Sequence, residues 1–165
     1  MILCQNHEIS LLKTTANSIK SRYPGHSFIC CTDESANEED LMQMNKICPT
    51  YVAGNTFSSL INKGMKQTPS LWNFILCAGV TMRNKLDYKF FRFIKNDKDI
   101  LFPISNNIPY FVDGTLNGIF INKNTFKEIG DWKNHENLEW VKTIWASEAI
   151  RKGCTFKAIA NSKIC

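Results

Sequence analysis

Seven cysteines are the most reactive side chains in this 165-residue sequence. No two of them form the C-x-x-C pair of zinc ribbons and thioredoxin-type redox sites. Cys4 and Cys77 are the candidate nucleophiles, but neither has an evident local base that would lower the thiol pKa. Since most of the cysteines lie in apolar surroundings, the sequence predicts reduced, buried thiols in a cytoplasmic protein.

Polar side chains that follow apolar runs form a second group of candidates. Gln5 and Asn6 follow the first run, Asp33 follows the second, and Arg83 comes after the fourth. Amides and carboxylates exchange hydrogen bonds with polar ligands, and a guanidinium neutralises an anion. Asp33 is explained equally well as an N-cap or turn residue in the sequence T-D-E-S.

Alternating strands and helices must position these residues. The apolar runs predict strands at 1–4, 26–32, 50–53, 71–77, 99–104, 110–112, 118–121 and 154–160. Helical spacing predicts helices at 9–22, 38–47, 58–66, 86–95, 125–129 and 137–152. This alternation predicts an α/β fold with a largely parallel sheet covered on both faces, and such sheets bind ligands at the carboxyl ends of their strands.

Length and composition narrow the class of protein further. A chain of 165 residues corresponds to one domain, and 44% hydrophobic with 21% charged residues is ordinary for a globular protein. No apolar run reaches the roughly 20 residues of a membrane span, and the first residues do not resemble a signal peptide. Neither a G-x-G-x-x-G motif nor a P-loop occurs, so neither kind of phosphate-binding loop is expected.

Five segments, taken in order, resemble the nucleotide-sugar domain of family 2 glycosyltransferases, which are inverting enzymes with the GT-A fold. ILCQNHEISLLKTTANSI is similar to the family's opening strand, loop and helix, and FICCTDESANEED to its second strand with an acidic D-x-S loop. The remaining three segments are similar to the third region, the acceptor side and the closing elements of the family: NTFSSLINKGMKQTPSLWNFIL, GTLNGIFINKNTFKEIGDW and GCTFKAI.

The resemblance implies a Rossmann-like three-layer fold and a donor site for a nucleoside-diphosphate sugar. Residues 1–103 would form the nucleotide-sugar half of a single domain, and residues 104–165 the acceptor-side half. Asp33 would accept hydrogen bonds from a nucleobase imide or from ribose hydroxyls, and the amides of Gln5 and Asn6 would contact the base. The implied donor site is completed by a helical amide and two cations for the diphosphate: Asn62, Lys63 and Arg83.

The sequence departs from the family at the end of the fourth predicted strand. Family members have a D-x-D or D-D motif there, and its carboxylate holds the divalent cation that neutralises the leaving diphosphate. This chain has Cys77, Ala78 and Gly79 at that place, and none offers a hard oxygen ligand. No metal ligand is therefore assigned, and three explanations stay open: cations such as Lys63 or Arg83 replace the metal, the metal is held elsewhere, or the site does not catalyse.

An inverting transfer also requires a general base that deprotonates the acceptor hydroxyl. In the family this acid lies near the start of the last helix, where this chain has Glu136 and Glu139. Glu139 is the first candidate, Glu136 the second, and Asp113 in the segment V-D-G-T-L-N-G the third. Acids at a helix N-terminus are explained equally well by their favourable interaction with the helix dipole.

Three functional hypotheses follow. The first is a small inverting glycosyltransferase whose acceptor, a glycan, a small molecule or DNA, is not identified by the sequence. The second is a non-catalytic relative that keeps the fold as a binding or interaction module. The third is a phage-type transferase that glycosylates modified DNA bases, which the net charge of +5 allows. Each predicts a cytoplasmic protein without a membrane span, in the host cytoplasm if the protein is viral.

Overall fold

A computed structural model describes residues 1–5, 8–82, 91–105, 108–109, 118–135 and 137–159. Within these ranges eight strands form one sheet, and five helices flank it. The strands are β1 (Ile2–Cys4), β2 (Cys30–Thr32), β3 (Thr50–Val52), β4 (Trp72–Cys77), β5 (Asp99–Ser105), β6 (Ile108–Pro109), β7 (Ile119–Asn122) and β8 (Thr155–Ile159). The helices are α1 (Ile9–Arg22), α2 (Glu38–Asn45), α3 (Phe57–Gln67), α4 (Lys123–Ile129) and α5 (Leu138–Arg151).

The sheet is mixed and mostly parallel, with the strand order β3-β2-β1-β4-β7-β5-β6 and with β8 paired to β5. The pairs β1–β2, β1–β4, β2–β3 and β5–β8 are parallel, whereas β7 runs antiparallel to β4 and β5, and β6 to β5. The predicted α/β class is confirmed at this level, and the architecture is compatible with a Rossmann-like fold. Because the chain moves outward from β1 to β3 and then returns to β4 on the other side of β1, a topological switch point lies between β1 and β4.

Both faces of the sheet are buried. Successive strand residues point to opposite sides, and in β1 and β2 the residues on both sides are buried. Ile2 and Cys30 pack in one hydrophobic cluster with the apolar face of α1, while Leu3 and Cys31 pack in another with α3 and α5. Strands buried on both faces are continuous apolar runs, which is how β1 and β2 are recognisable in the sequence.

Gly64 lets α3 approach the sheet closely. A Cβ atom at this position would lie 1.7 Å from the Met1 sulfur and 3.0 Å from the Cys31 sulfur. Glycine costs a helix interior about 1 kcal/mol relative to alanine, so its presence here is explained by packing and not by helix propensity.

Two strand boundaries were predicted wrongly. β2 begins at Cys30 and not at residue 26, and β5 continues to Ser105, one residue beyond its predicted end. Pro103 pairs with Ile159 of β8, and the antiparallel register with β7 is at Leu101, two residues earlier. A proline is tolerated in a strand where its missing N–H has no ladder partner to satisfy. The strand predicted at 110–112 lies outside the described residues, and so does most of the helix predicted at 86–95.

None of the helices in the described ranges combines the length and the apolar character needed to cross a bilayer.

Candidate functional site

Four strands end at the same edge of the sheet. Because β1, β2, β3 and β4 run parallel to one another, the loops that follow them lie side by side. We call these loops, residues 5, 33–37, 53–56 and 78–80, the carboxyl edge. In an open α/β sheet this is where ligands bind, next to the switch point.

Asn55 joins the loops that follow β1, β2 and β3. The Gln5 side-chain amide donates to the Asn55 carbonyl at 3.4 Å, and the backbone N–H of Glu34 donates to Asn55 Oδ1 at 3.2 Å. The structure thus brings the predicted residue Gln5 next to the loop of Asp33. Sequence reasoning missed Asn55, although it directly follows Gly54, a turn-forming residue, after the third predicted strand.

Asp33 is a buried turn residue, with only 3% of its surface exposed. Its Oδ1 accepts hydrogen bonds from the backbone N–H of Ser35 at 3.0 Å and from the Ser35 hydroxyl. The N-cap of α2 is Asn37, whose side chain accepts from the backbone N–H of Asp40. Of the two structural explanations left open by the sequence, the turn is the one observed, while ligand contact by Asp33 stays a prediction.

Asn62 and Lys63 lie in α3, farther from the carboxyl edge. The Asn62 side chain pairs with the backbone of Trp132, donating to its carbonyl at 2.8 Å and accepting from its N–H at 2.9 Å. Lys63 is half-buried. It lies six residues beyond Phe57, or about 9 Å along the helix axis from the edge. The structure therefore gives Asn62 a structural role, and contact of either residue with a ligand is untested.

The segment 131–135 runs alongside α3 toward the carboxyl edge. Asp131 forms an ion pair of 2.6 Å with Lys66 near the end of α3, and Asn134 contacts Thr56, the N-cap residue of α3. The residues 131–134 that precede α5 thereby extend along α3 to the same edge as Gln5 and Asp33.

Glu139 lies in the first turn of α5, where 62% of its side chain is exposed. Its Oε1 is 3.0 Å from Nζ of Lys142, whose side chain is only 3% exposed. A buried ammonium requires an anionic partner, so Lys142 orients this carboxylate. Next to it, the half-exposed Trp140 ring lies 4.8 Å from the ring of His135, centroid to centroid.

The turn after β4 is bound tightly to its neighbours. The backbone N–H of Ala78 donates to the Leu3 carbonyl at 2.7 Å, and that of Gly79 to the Leu11 carbonyl at 3.2 Å. Gly79 has a φ of 94°, a left-handed conformation that favours glycine. The side chains at this turn do not fit a divalent cation, since Cys77 is a thiol whose pKa burial raises to about 12.

The cysteines in the part of the chain that the structure describes are mostly buried. Six are free, and all but the half-buried Cys77 are buried, which confirms the predicted buried thiols for five of them. The pKa of Cys4 is lowered, mainly by a hydrogen bond from the Cys30 thiol, but Cys4 is fully buried within the core. Access to a substrate is therefore lacking for a Cys4 nucleophile in this conformation.

Several predicted residues fall outside the described ranges, and their roles stay predictions: Asn6, Arg83, Asp113 and Glu136. Among the described residues, no three His, Cys, Asp or Glu side chains group in a way that could hold a metal ion.

Compared with known proteins, the chain matches no protein-family model and no curated protein sequence.

Proposed function

We propose that this chain is a GT-A-like glycosyltransferase domain that binds a nucleoside-diphosphate sugar at the carboxyl edge and transfers the sugar, with inversion, to an acceptor. The observation that carries the proposal is the convergence of Gln5, Asp33 and Asn55 from three neighbouring parallel strands. They converge beside the switch point between β1 and β4, where sheets of this kind bind nucleotides.

The convergent side chains suit a nucleoside. Ser35 fixes the orientation of the Asp33 carboxylate, which would accept hydrogen bonds from an imide N–H or from ribose hydroxyls. The amides of Gln5 and Asn55 can both donate and accept, as the edge of a nucleobase requires. Lys63 and Arg83 are the cations assigned to the diphosphate, and no step is assigned to a metal ion.

The acceptor would approach from the side of α5. Glu139 is the assigned general base: it takes the proton from the acceptor hydroxyl while the oxygen attacks the anomeric carbon and the nucleoside diphosphate leaves. Lys142 keeps the carboxylate oriented through their 3.0 Å contact. Support for this role comes from the short connection to α5, which begins four residues after Asn134, and Asn134 contacts Thr56 at the N-cap of α3.

Calorimetric titration with UDP, GDP and CDP sugars tests the donor site. We expect at least one of them to bind, and we expect Asp33→Asn to weaken this binding about tenfold or more, since a hydrogen bond to a charged group contributes about 1.5–3 kcal/mol. Asparagine retains Oδ1 as the acceptor for Ser35, so the turn is preserved. The matched control is Asp97→Asn, an exposed aspartate in the turn before β5, which should bind like the unsubstituted chain.

Absence of binding to all three donor classes would contradict the proposal. Equal binding by Asp33→Asn and the unsubstituted chain would remove Asp33 from the site.

A non-catalytic binding module is the second candidate, favoured by Cys77, Ala78 and Gly79 at the end of β4. Donor turnover with and without Mn²⁺ separates the two functions. Turnover that is lost in Glu139→Gln, with donor binding unchanged, supports the transferase. Donor binding without turnover under either condition supports the module.

A further inference from the structure

A cavity of about 200 Å³ lies on the face of the sheet that packs against α1. It is bounded by the C-terminal end of α1, the segment 26–29 that leads into β2, the turn 68–70 and the first residues of β4. None of its described lining residues belongs to the carboxyl edge. An inference about this cavity is therefore independent of the donor site proposed above.

One wall of the cavity is aromatic and flat. Trp72 of β4 and Phe120 of β7 are stacked, with ring centroids 5.2 Å apart and planes inclined by 8°. Phe91 meets Phe120 edge to face at 5.4 Å and 69°, and 40% of Phe91 is exposed. Rings arranged in this way present both faces and edges, which are the two surfaces that attract another aromatic ring.

The cavity lining also contains exposed polar residues. His26, Ser27 and Ser70 are exposed lining residues, and they supply an imidazole and two hydroxyls. The buried polar pair at the base is already satisfied, because Thr68 donates to Asn73 Oδ1 at 2.7 Å and the Asn73 amide donates to the Ser70 carbonyl at 3.0 Å. A guest would therefore bury a flat apolar body against the aromatic wall and present its polar edge to the exposed residues.

We propose that this cavity binds a planar heteroaromatic molecule of one or two fused rings with a hydrogen-bonding edge. The volume supports this size, since an apolar cavity of about 150 Å³ accepts benzene. Pockets for drug-sized ligands measure about 300–1,000 Å³, so a complete nucleotide sugar is too large for this cavity. The ligand is thus distinguished from the donor by size as well as by location.

Titration with indole, followed by the ¹⁵N–¹H spectrum of the full chain, tests the proposal. Saturable shifts are expected at the amides of Ser27 and Asn73 and at the indole N–H of Trp72. Cyclohexanol is the matched probe, because its size is similar but its ring is not planar, and we expect it to bind more weakly. Ser27→Trp, which places a large side chain in the opening, should weaken indole binding at least about tenfold, the effect of about 1.4 kcal/mol. Ser21→Trp is the control, because Ser21 is exposed on α1 outside the cavity lining.

The proposal is overturned if indole does not saturate, if its shifts map to the carboxyl edge, or if cyclohexanol binds equally well. It is also overturned if Ser27→Trp retains the native circular dichroism spectrum and binds indole unchanged. Should Ser27→Trp fail to fold, Ser70→Trp tests the same cavity, since Ser70 is also an exposed lining residue. Weaker indole binding by this variant supports the proposal, and unchanged binding by the folded variant overturns it.

Discussion

Individual side chains stabilise the two edges of the sheet by different interactions, hydrogen bonds at one edge and an ion pair at the other. At the carboxyl edge, Asp33 and Asn55 fix loops through hydrogen bonds to backbone N–H groups. At the opposite end, Asp99 begins β5 as a buried carboxylate and pairs with Lys157 of β8 at 2.7 Å. Asp99 thereby joins two neighbouring strands through an ion pair.

Asp99 makes stability depend on pH. Burial alone would raise its pKa, but hydrogen bonds from Lys157 and from the backbone N–H groups of Lys95 and Asn96 outweigh burial, so the pKa lies below its ordinary value of 3.8. A lowered folded pKa means that the contribution to stability is present above pH 3.8 and is lost as the pH falls through the folded value. We expect the melting temperature to fall in this acidic range, and Asp99→Asn to lower it at pH 7 while flattening its acid dependence.

Thermal melts followed by circular dichroism between neutral and acidic pH measure this effect. Asp97→Asn, which removes an exposed carboxylate two residues away, is the control and should retain the dependence of the unsubstituted chain. A melting temperature of Asp99→Asn that falls with acid as steeply as that of the control would contradict the assignment.

At the scale of elements, the packing of α3 on β1 and β2 depends on Gly64. We expect Gly64→Ala to lower the free energy of unfolding by about 1–2 kcal/mol, because overpacking costs about 1–3 kcal/mol and the helix propensity of alanine returns at most about 1 kcal/mol. The Cys31 sulfur, 3.0 Å from the added Cβ, belongs to a strand and has little room to move. The melting temperature should fall by about 2–8 °C for a chain of this size. Gln67→Ala, a substitution at an exposed position of the same helix, is the control and should leave the melting temperature nearly unchanged. A Gly64→Ala chain as stable as this control would contradict the prediction, because it would show that the Met1 and Cys31 sulfurs move aside without cost.

How far the sequence predicts these elements depends on whether their signals are local. The apolar spacing of Ile9, Leu12, Ala16 and Ile19 is local, and both ends of α1 were predicted from it correctly. The partner of Asn62 is not local: it is the backbone of Trp132, 70 residues away, so a residue interpreted as a donor contact joins α3 to the segment 131–135. In the same way, the start of β2 at Cys30 depends on its neighbours, because the pairing of β2 with Ile2 of β1 and with Thr50 of β3 begins at this residue.

At the scale of the whole molecule, five of the lysines that contribute to the net charge of +5 bind neighbouring groups of the fold. Three form ion pairs across elements, and two others bind backbone carbonyls at helix C-termini, where cations interact favourably with the helix dipole. The ion pairs are Lys66–Asp131, Lys98–Glu128 and Lys157–Asp99, and the carbonyl contacts are Lys123 to Thr68 and Lys152 to Glu128. Such lysines are distributed over the described surface and committed to neighbours, unlike a basic stripe that follows a nucleic acid backbone.

This use of charge predicts weak binding to duplex DNA and so bears on the hypothesis of a transferase acting on DNA. A protein that neutralises six to ten phosphates loses about 10³–10⁵ in affinity between about 50 mM and 200 mM salt, because counterions are released on binding. With these five lysines bound to neighbouring groups and no basic stripe among the described residues, we expect one or two phosphate contacts and a loss below about tenfold over the same range. Fluorescence anisotropy of a labelled duplex measures this slope directly. A steep slope would instead identify a DNA-binding surface and would favour DNA as the acceptor, whereas a shallow slope leaves a glycan or a small molecule as the acceptor to be sought at the side of α5.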